Sequence, residues 1–138
     1  MPNYWVLKTE PSAYSFADLV RDRRTSWNGV TNALALKNLR SMAVGDHALI
    51  YHTGGEKAVV GLARIVRAAY PDPKLQDPKL VVVDVEAERP LPKAVSLAAI
   101  KTDPAFADLA LVRMPRLSVV PVAPRQWERL LSMAGVPS

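Results

Sequence analysis

The feature that most constrains the fold is a pair of apolar segments separated by a short polar connection near the middle of the chain. Residues 48–52 and 58–66 are mainly aliphatic or aromatic, and residues 54–57, which begin with two glycines, lie between them. Two strands joined so closely run antiparallel, because a parallel pair needs a crossover of a dozen or more residues. The pattern therefore predicts a β-hairpin and a sheet that is antiparallel in this part.

Three further segments have the composition of strands. Residues 4–8 are aromatic or aliphatic up to a final lysine, which predicts a strand inside the sheet and not an exposed chain end. Valines and acidic side chains alternate along residues 80–88, the period of a half-buried strand. Residues 117–122 contain Pro121, which cannot donate a ladder hydrogen bond, so this strand is expected at an edge or a bulge.

Helix signals lie between and after these strands. The predicted helix starts carry capping or first-turn residues, namely Ser15 with Asp18 as its reciprocal partner, Thr31 or Asn32, Ser96, and Asp103 with Pro104. Residues 124–133 predict a terminal helix with Trp127 facing the core. Five or six strands with four or five short helices indicate an α+β fold around a mostly antiparallel, partly closed sheet.

Composition limits the class of protein. The chain has 138 residues, 49% of them hydrophobic, which suits one domain over residues 1–138 with its own core. No apolar run is long enough to cross a bilayer and the first residues do not resemble a signal peptide, so no membrane partner is expected. The absence of cysteine excludes disulfides and favours a cytoplasmic location. The net charge of +5 mildly favours a polyanionic partner.

The sequence has no pattern typical of catalysis. His47 and His52 are five residues apart on or beside one strand, so they point to opposite faces and cannot chelate one metal together. Neither a nucleophile elbow nor a phosphate-binding glycine loop is present. We therefore expect a protein that is not an enzyme and that holds no metal and no cofactor.

Among the few aromatic residues, Trp27 is the one whose position suggests a ligand site. It stands in a polar segment between two predicted helices, so we expect it to be partly exposed and to line a concavity shared with Glu10 and Tyr51. An indole face stacks on a planar base or on a cation. A glutamate beside it could accept a hydrogen bond from an exocyclic amine such as that of cytosine. The alternatives are a tryptophan folded over the core edge and a solvated surface carboxylate.

Segments along nearly the whole chain resemble the EVE domain family. They are residues 4–11 (YWVLKTEP), 27–32 (WNGVTN), 38–46 (NLRSMAVGD), 51–53 (YHT), 69–72 (AYPD) and 116–122 (RLSVVPV), followed by Trp127. The resemblance implies a PUA-like pseudo-barrel of five or six mostly antiparallel strands with short flanking helices, related in shape to YTH domains. It also implies binding of a modified base, modified cytosine above all, in DNA or RNA, by a protein that we expect to be a monomer.

The resemblance further implies a set of ligand-binding residues. Carried over position by position, they are Lys8, Thr9 and Glu10 from the first strand, Trp27, Val30 and Asn32 from the loop, Tyr51 and His52, and Arg116 and Ser118 at the rim or behind it.

The chain departs from the family at the start of the second helix. Thr31 stands where the family usually has arginine, and residues 33–36, with Ala33 and Leu36 at their ends, replace a YQAR-like run. An arginine pair and a tyrosine are therefore missing. Because phosphate contacts supply much of the affinity for nucleic acids, a second hypothesis stays open, namely a binder of a free nucleoside or another planar small molecule. Salt dependence distinguishes the two, since only polynucleotide binding weakens steeply with salt.

Overall fold

Six strands form one sheet in the computed structural model, which describes residues 3–137. They are β1 (Tyr4–Thr9), β2 (Arg24–Ser26), β3 (His47–His52), β4 (Ala58–Pro71), β5 (Val81–Ser96) and β6 (Val119–Val122). Their order is β2-β5-β4-β3-β1-β6, and every neighbouring pair is antiparallel except β1 with β3. The α+β class with mostly antiparallel strands is confirmed. The edge strands β2 and β6 are not neighbours, so the sheet is open and not closed into a barrel.

The expected hairpin is formed by β3 and β4, and β5 returns along β4. Both β4 and β5 continue beyond the predicted limits, to Pro71 and Ser96. They do so because each strand supplies backbone partners for the other through several register shifts. Sequence periodicity is lost at such irregular positions, which explains why the predicted strands ended too early.

Strand β1 lies inside the sheet, between β3 and β6, as predicted. Val6 and Leu7 at its centre are completely buried. In the parallel register with β3, Lys8 lies opposite Tyr51. Side chains at paired positions share a face of the sheet, so the end of β1 and the end of β3 are placed next to each other.

A buried carboxylate anchors the beginning of β1. Asp46 is 2% exposed and accepts three hydrogen bonds of 3.0 Å, from the backbone nitrogens of Asn3 and Ala43 and from the indole nitrogen of Trp5. A buried charge is tolerated when donors compensate for the water it has lost. Asp46 therefore ties β1 to the turn that leads into β3.

The helices are short, and all but the last lie between strands along the chain. They are α1 (Phe16–Asp22), α2 (Ala33–Arg40), α3 (Leu97–Lys101), α4 (Ala110–Arg113) and α5 (Pro124–Met133), with one 3-10 turn at Pro104–Phe106. Ser15 and Asp18 form the predicted capping box, and Asn32 caps α2. The four residues of α4 are too few to show a helical period, so the sequence did not predict it. Within residues 3–137, no helix combines the length and apolarity needed to cross a bilayer.

The segment before Trp27 is a strand and not the predicted polar loop. Thr25 of β2 pairs with Val85 of β5, and the backbone nitrogen of Trp27 donates to the Val83 carbonyl at 2.8 Å. These bonds hold the indole against the sheet, and Trp27 is only 7% exposed. The expectation of a partly exposed Trp27 is therefore wrong. Trp27 is buried because β2 pairs with the distant strand β5, and the polar composition around Trp27 gives no sign of this pairing.

Trp127 lies in the core, as predicted from its helical spacing. It is 5% exposed, and its ring stacks on Tyr4 with 4.7 Å between centroids. The imidazole of His47 lies beside both rings, 5.9 Å from Tyr4 and 6.1 Å from Trp127 between centroids. Tyr4 begins β1 and Thr9 ends it, so this aromatic cluster is at the opposite end of β1 from the cavity described next.

Candidate functional site

A cavity of about 430 Å³ opens at the carboxyl end of β1. Its walls come from the end of β1, the segment before α1, and β2 with the two residues that follow it. The lining residues are Lys8, Thr9, Ala13, Tyr14, Thr25, Ser26, Trp27 and Asn28. Three strands separate β1 from β2 in the sheet order, so the sheet must curl for both to line one cavity.

Trp27 and Tyr14 form the aromatic part of the wall. Their ring centroids are 6.3 Å apart and their planes are inclined at 84°, which is an edge-to-face pair. This geometry is favourable because the positive edge of one ring meets the negative face of the other. Since Trp27 is 7% exposed, it offers a ligand a small area in a fixed orientation.

Tyr14 is held in place from both ends. The hydroxyl of Thr9 donates to the Tyr14 carbonyl at 2.6 Å, and the phenol of Tyr14 donates to Asp22 at 2.9 Å. Burial raises the pKa of the Tyr14 phenol, so it stays protonated and keeps this donor role at neutral pH. The side wall of the cavity is therefore fixed to both β1 and α1.

Lys8 is the one cation among the lining residues. Its ammonium donates to the Pro115 carbonyl at 2.9 Å and lies 5.7 Å from the centroid of the Tyr51 ring. Burial lowers the pKa of Lys8 from its ordinary value, as expected for an ammonium that has lost water. An ammonium has three N–H donors, so two remain for a ligand or for water.

The other polar groups of the lining are neutral. They are the phenol of Tyr14, the hydroxyls of Thr9, Thr25 and Ser26 and the amide of Asn28, and none of the lining residues is a carboxylate. Across residues 3–137, no cluster of three or more histidine or acidic side chains is placed to bind a metal ion. The cavity is suited to a flat ligand that carries hydrogen-bond acceptors, and it is less suited to a cation.

Glu10 follows Thr9 directly but contacts the β3–β4 hairpin and not the cavity. Its carboxylate accepts from the hydroxyl of Thr53 at 3.0 Å and from the hydroxyl of Ser12 at 3.2 Å. The bond from Thr53, followed by the backbone bond from Ser12, lowers the pKa of Glu10. The same carboxylate lies 3.0 Å from the position that a Cβ at Gly54 would take. The structure thus gives Glu10 a contact that fixes the hairpin turn.

Tyr51 and His52 are both buried, and neither lines the cavity. Tyr51 lies under the ammonium of Lys8. The Nε2 atom of His52 accepts a hydrogen bond from the backbone nitrogen of Phe16 at 3.0 Å, and its Nδ1 atom lies 2.8 Å from Glu56. His52 therefore supports the start of α1. The expected concavity shared by Trp27, Glu10 and Tyr51 is not formed, because Glu10 and Tyr51 have contacts elsewhere.

The remaining expected residues lie around the cavity and not in its lining. Val30 is half-buried against the core, and the side chain of Asn32 accepts from the backbone nitrogen of Ala35. Asn32 and Arg116 line a neighbouring groove. The carbonyl of Ser118 accepts from the backbone nitrogen of Lys8 at 3.0 Å. The structure therefore brings Lys8, Thr9 and Trp27 together in the cavity and distributes the other seven elsewhere.

Sequence reasoning missed five lining residues, namely Ala13, Tyr14, Thr25, Ser26 and Asn28. Tyr14 carries a usable signal, because it is an aromatic residue in a polar segment directly before a capping serine, much as Trp27 is isolated among polar residues. The other four are small or polar, and such residues are common in any surface segment. Only the pairing of β2 with β5 gives them a position beside Trp27.

Comparison with known proteins identifies several relatives. The EVE domain model matches residues 3–133. Thymocyte nuclear protein 1 of Rattus norvegicus is 30% identical over 167 aligned positions, which cover 96% of this chain and 74% of the relative. A Rhodopseudomonas palustris protein solved by NMR is 41% identical with a TM-score of 0.91, covering 96% and 93% of the two chains. Human THYN1, solved in complex with DNA containing 5-methylcytosine, is 27% identical with a TM-score of 0.88 over 99% of both chains.

Proposed function

The chain belongs to the EVE domain family, and from this premise we propose that it binds a modified nucleobase of DNA in the cavity between Lys8 and Trp27, without converting it chemically. The observation that carries the proposal is the cavity itself, in a chain whose fold is shared over its length with a human relative solved with 5-methylcytosine DNA. We propose a modified cytosine as the base.

The size and shape of the cavity suit a single base. Its volume of about 430 Å³ is within the range of small-molecule sites, and it cannot hold a stacked base pair with its backbone. A base must therefore leave the helical stack to enter, which costs a few kcal/mol. Contact with the rings of Trp27 and Tyr14 offsets this cost, since one base–aromatic contact contributes about 1–3 kcal/mol.

The polar groups match the edge of a cytosine. Its ring carbonyl and ring nitrogen are acceptors, which the ammonium of Lys8 and the amide of Asn28 can satisfy. Its exocyclic amine is a donor, and the hydroxyls of Thr9, Thr25 and Ser26 can accept from it. A methyl group on the ring would meet the aromatic wall and lose contact with water, a gain of about 0.8 kcal/mol.

A cavity-filling variant tests this proposal. Ala13 is exposed and lines the cavity, so Ala13→Leu adds bulk at the mouth and removes no core contact. Ala98 is exposed on α3, and Ala98→Leu is the matched control. Titration with an oligodeoxynucleotide containing 5-methylcytosine should show binding by the unchanged protein and by Ala98→Leu, and a loss of about tenfold or more in Ala13→Leu, which equals about 1.4 kcal/mol.

Three further ligands decide which part of the proposal stands. The same oligonucleotide with plain cytosine should bind more weakly than the methylated one. An RNA of the same sequence that binds more tightly than the DNA would replace DNA by RNA as the partner. Free 5-methyldeoxycytidine that binds as tightly as the oligonucleotide, without salt dependence, would favour a small-molecule binder. Equal binding of methylated DNA by Ala13→Leu and Ala98→Leu would exclude this cavity as the site.

A further inference from the structure

A second groove lies beside the cavity, between the start of α2 and the end of α4. Its volume is about 440 Å³. Its lining is aliphatic with two arginines, and the residues that matter here are Leu34, Arg113, Met114, Pro115, Arg116 and Leu117. The groove and the cavity have no lining residue in common.

The aliphatic part of the groove is exposed to an unusual degree. Leu34 and Met114 are 37% and 44% exposed. Only three other large hydrophobic residues are as exposed within residues 3–137, and none of those lines this groove. Two side chains of this kind in one concave surface give a ligand apolar area to cover.

The charge of the groove indicates what kind of ligand it takes. Arg113 and Arg116 are exposed, and neither forms a salt bridge with any acidic group in residues 3–137. In the described part of the chain, the guanidinium of Arg113 forms one hydrogen bond, a long contact of 3.5 Å with the Ala107 carbonyl. Two guanidinium groups beside an aliphatic surface complement a phosphate joined to a sugar and a base.

The groove shares a wall with the cavity. The ammonium of Lys8, which lines the cavity, donates at 2.9 Å to the carbonyl of Pro115, which lines the groove. We propose that the groove receives the nucleotide next to the base held in the cavity, with Leu34 and Met114 against its base or sugar and with Arg113 and Arg116 at its phosphate. This inference rests on the proposed function, and it adds a second nucleotide subsite to it.

A comparison of ligands that differ only in length tests the inference. The probes are 5-methyldeoxycytidine alone, a single-stranded pentadeoxynucleotide with central 5-methylcytosine, and the same pentamer with abasic sites on both sides of that base. The unchanged protein should bind the full pentamer more tightly than either of the other probes. Met114→Ala should weaken pentamer binding by about fourfold for each methylene removed from contact and should leave nucleoside binding unchanged.

The arginines have a readout of their own. The affinity for the pentamer should fall less steeply with salt in Arg113→Gln and in Arg116→Gln. In each variant, the slope of log affinity against log salt should be about 0.7 less negative, the value for one phosphate contact on a single strand. Arg125 follows β6, whereas Arg116 precedes it, so Arg125→Gln is the matched control for charge. Leu75, 47% exposed between β4 and β5, gives Leu75→Ala as the matched control for apolar area.

The outcomes separate the two proposals. Pentamer binding that falls in the groove variants and not in the controls supports the groove as a nucleotide subsite. Unchanged pentamer binding and salt slope in all groove variants, with binding lost in Ala13→Leu, would overturn this inference and leave the proposed function intact. Absence of pentamer binding by the unchanged protein would overturn both.

Discussion

Replacing Trp27 by alanine should weaken base binding and also lower the stability of the fold. Trp27 is 7% exposed and packs edge-to-face on Tyr14, so the truncation removes a nearly buried ring. Loss of a buried tryptophan costs about 3–5 kcal/mol, and we expect the lower end because one side of this ring already borders the cavity. Because only a small area of this ring is open to a ligand, the lost contact should cost about 1 kcal/mol of binding free energy, the lower end for a base–aromatic contact, which is about fivefold in affinity.

Two other variants separate the effect on binding from the effect on folding. Trp27→Phe keeps an aromatic ring against Tyr14, so it should lose less stability than Trp27→Ala and retain part of the affinity. Trp127→Ala removes a ring that is 5% exposed and stacks on Tyr4, at the other end of β1. It should lose about 3–5 kcal/mol of stability and bind with unchanged affinity.

Urea unfolding gives the stability of each variant, and titration with a 5-methylcytosine oligonucleotide gives its affinity under conditions where it remains folded. The expected pattern is that both alanine variants are destabilised and that only the one at Trp27 loses affinity. Unchanged affinity of folded Trp27→Ala would refute the assignment of Trp27 as a wall of the binding site. A loss of affinity in Trp127→Ala as large as in Trp27→Ala would show that the assay reports stability and not contact.

Three other perturbations test the framework around the cavity. Asp46→Ala should lower the free energy of unfolding in urea by about 1–3 kcal/mol, because it leaves the buried indole donor of Trp5 unsatisfied. Asp46→Asn should lose less stability. Equal losses in the two variants would contradict this account. Gly61→Ala should lower the free energy of unfolding by about 1–3 kcal/mol, because the added Cβ would lie 2.3 Å from the ring of Phe16. Gly55→Ala meets open space and should leave stability unchanged. A Gly61→Ala variant as stable as the unchanged protein would show that the ring can move. The hydrogen bond from the Thr53 hydroxyl, followed by that from the Ser12 backbone, lowers the pKa of Glu10 below the ordinary 4.5. The contribution of its carboxylate to stability is therefore present above that pH and is lost as the pH falls through the folded-state pKa. The unfolding midpoint of Glu10→Gln should therefore fall less between pH 6 and pH 3 than that of the unchanged protein. An equal fall in both proteins would argue against a stabilising role of the Glu10 carboxylate.

Much of the fold could be predicted from the sequence because its signals are local. The glycine-containing connection between residues 48–52 and 58–66 predicts the hairpin, and the apolar run at residues 4–8 predicts a strand inside the sheet. Ser15 with Asp18 predicts the start of α1. Each of these signals involves residues within a few positions of one another, so their physics is the same in the sequence as in the folded chain. The count of strands and helices indicated the α+β class, and the similarity of many segments to the EVE domain family added the family.

The candidate site was predicted only in part, since its walls depend on contacts between distant segments. The sequence suggested Lys8, Thr9 and Trp27 as ligand-binding residues, and the structure brings these three to one cavity. Nothing in the sequence indicated that Glu10 would bond to the hairpin, because that contact depends on where the hairpin turn lies relative to β1. Arg116 was expected at the rim of the cavity or behind it, and it lines the groove beside the cavity.

The sequence by itself determined the β3–β4 hairpin, the helix caps, the place of residues 4–8 inside the sheet and the presence of an isolated tryptophan at position 27. Only the tertiary structure decided that this tryptophan is buried, because its burial follows from the pairing of β2 with a strand about 60 residues later in the chain. Local composition reports whether a segment is polar, and it does not report which strand supplies the segment's hydrogen bonds. The order of the strands, and the curl of the sheet that brings β1 and β2 to one cavity, are therefore set by long-range packing.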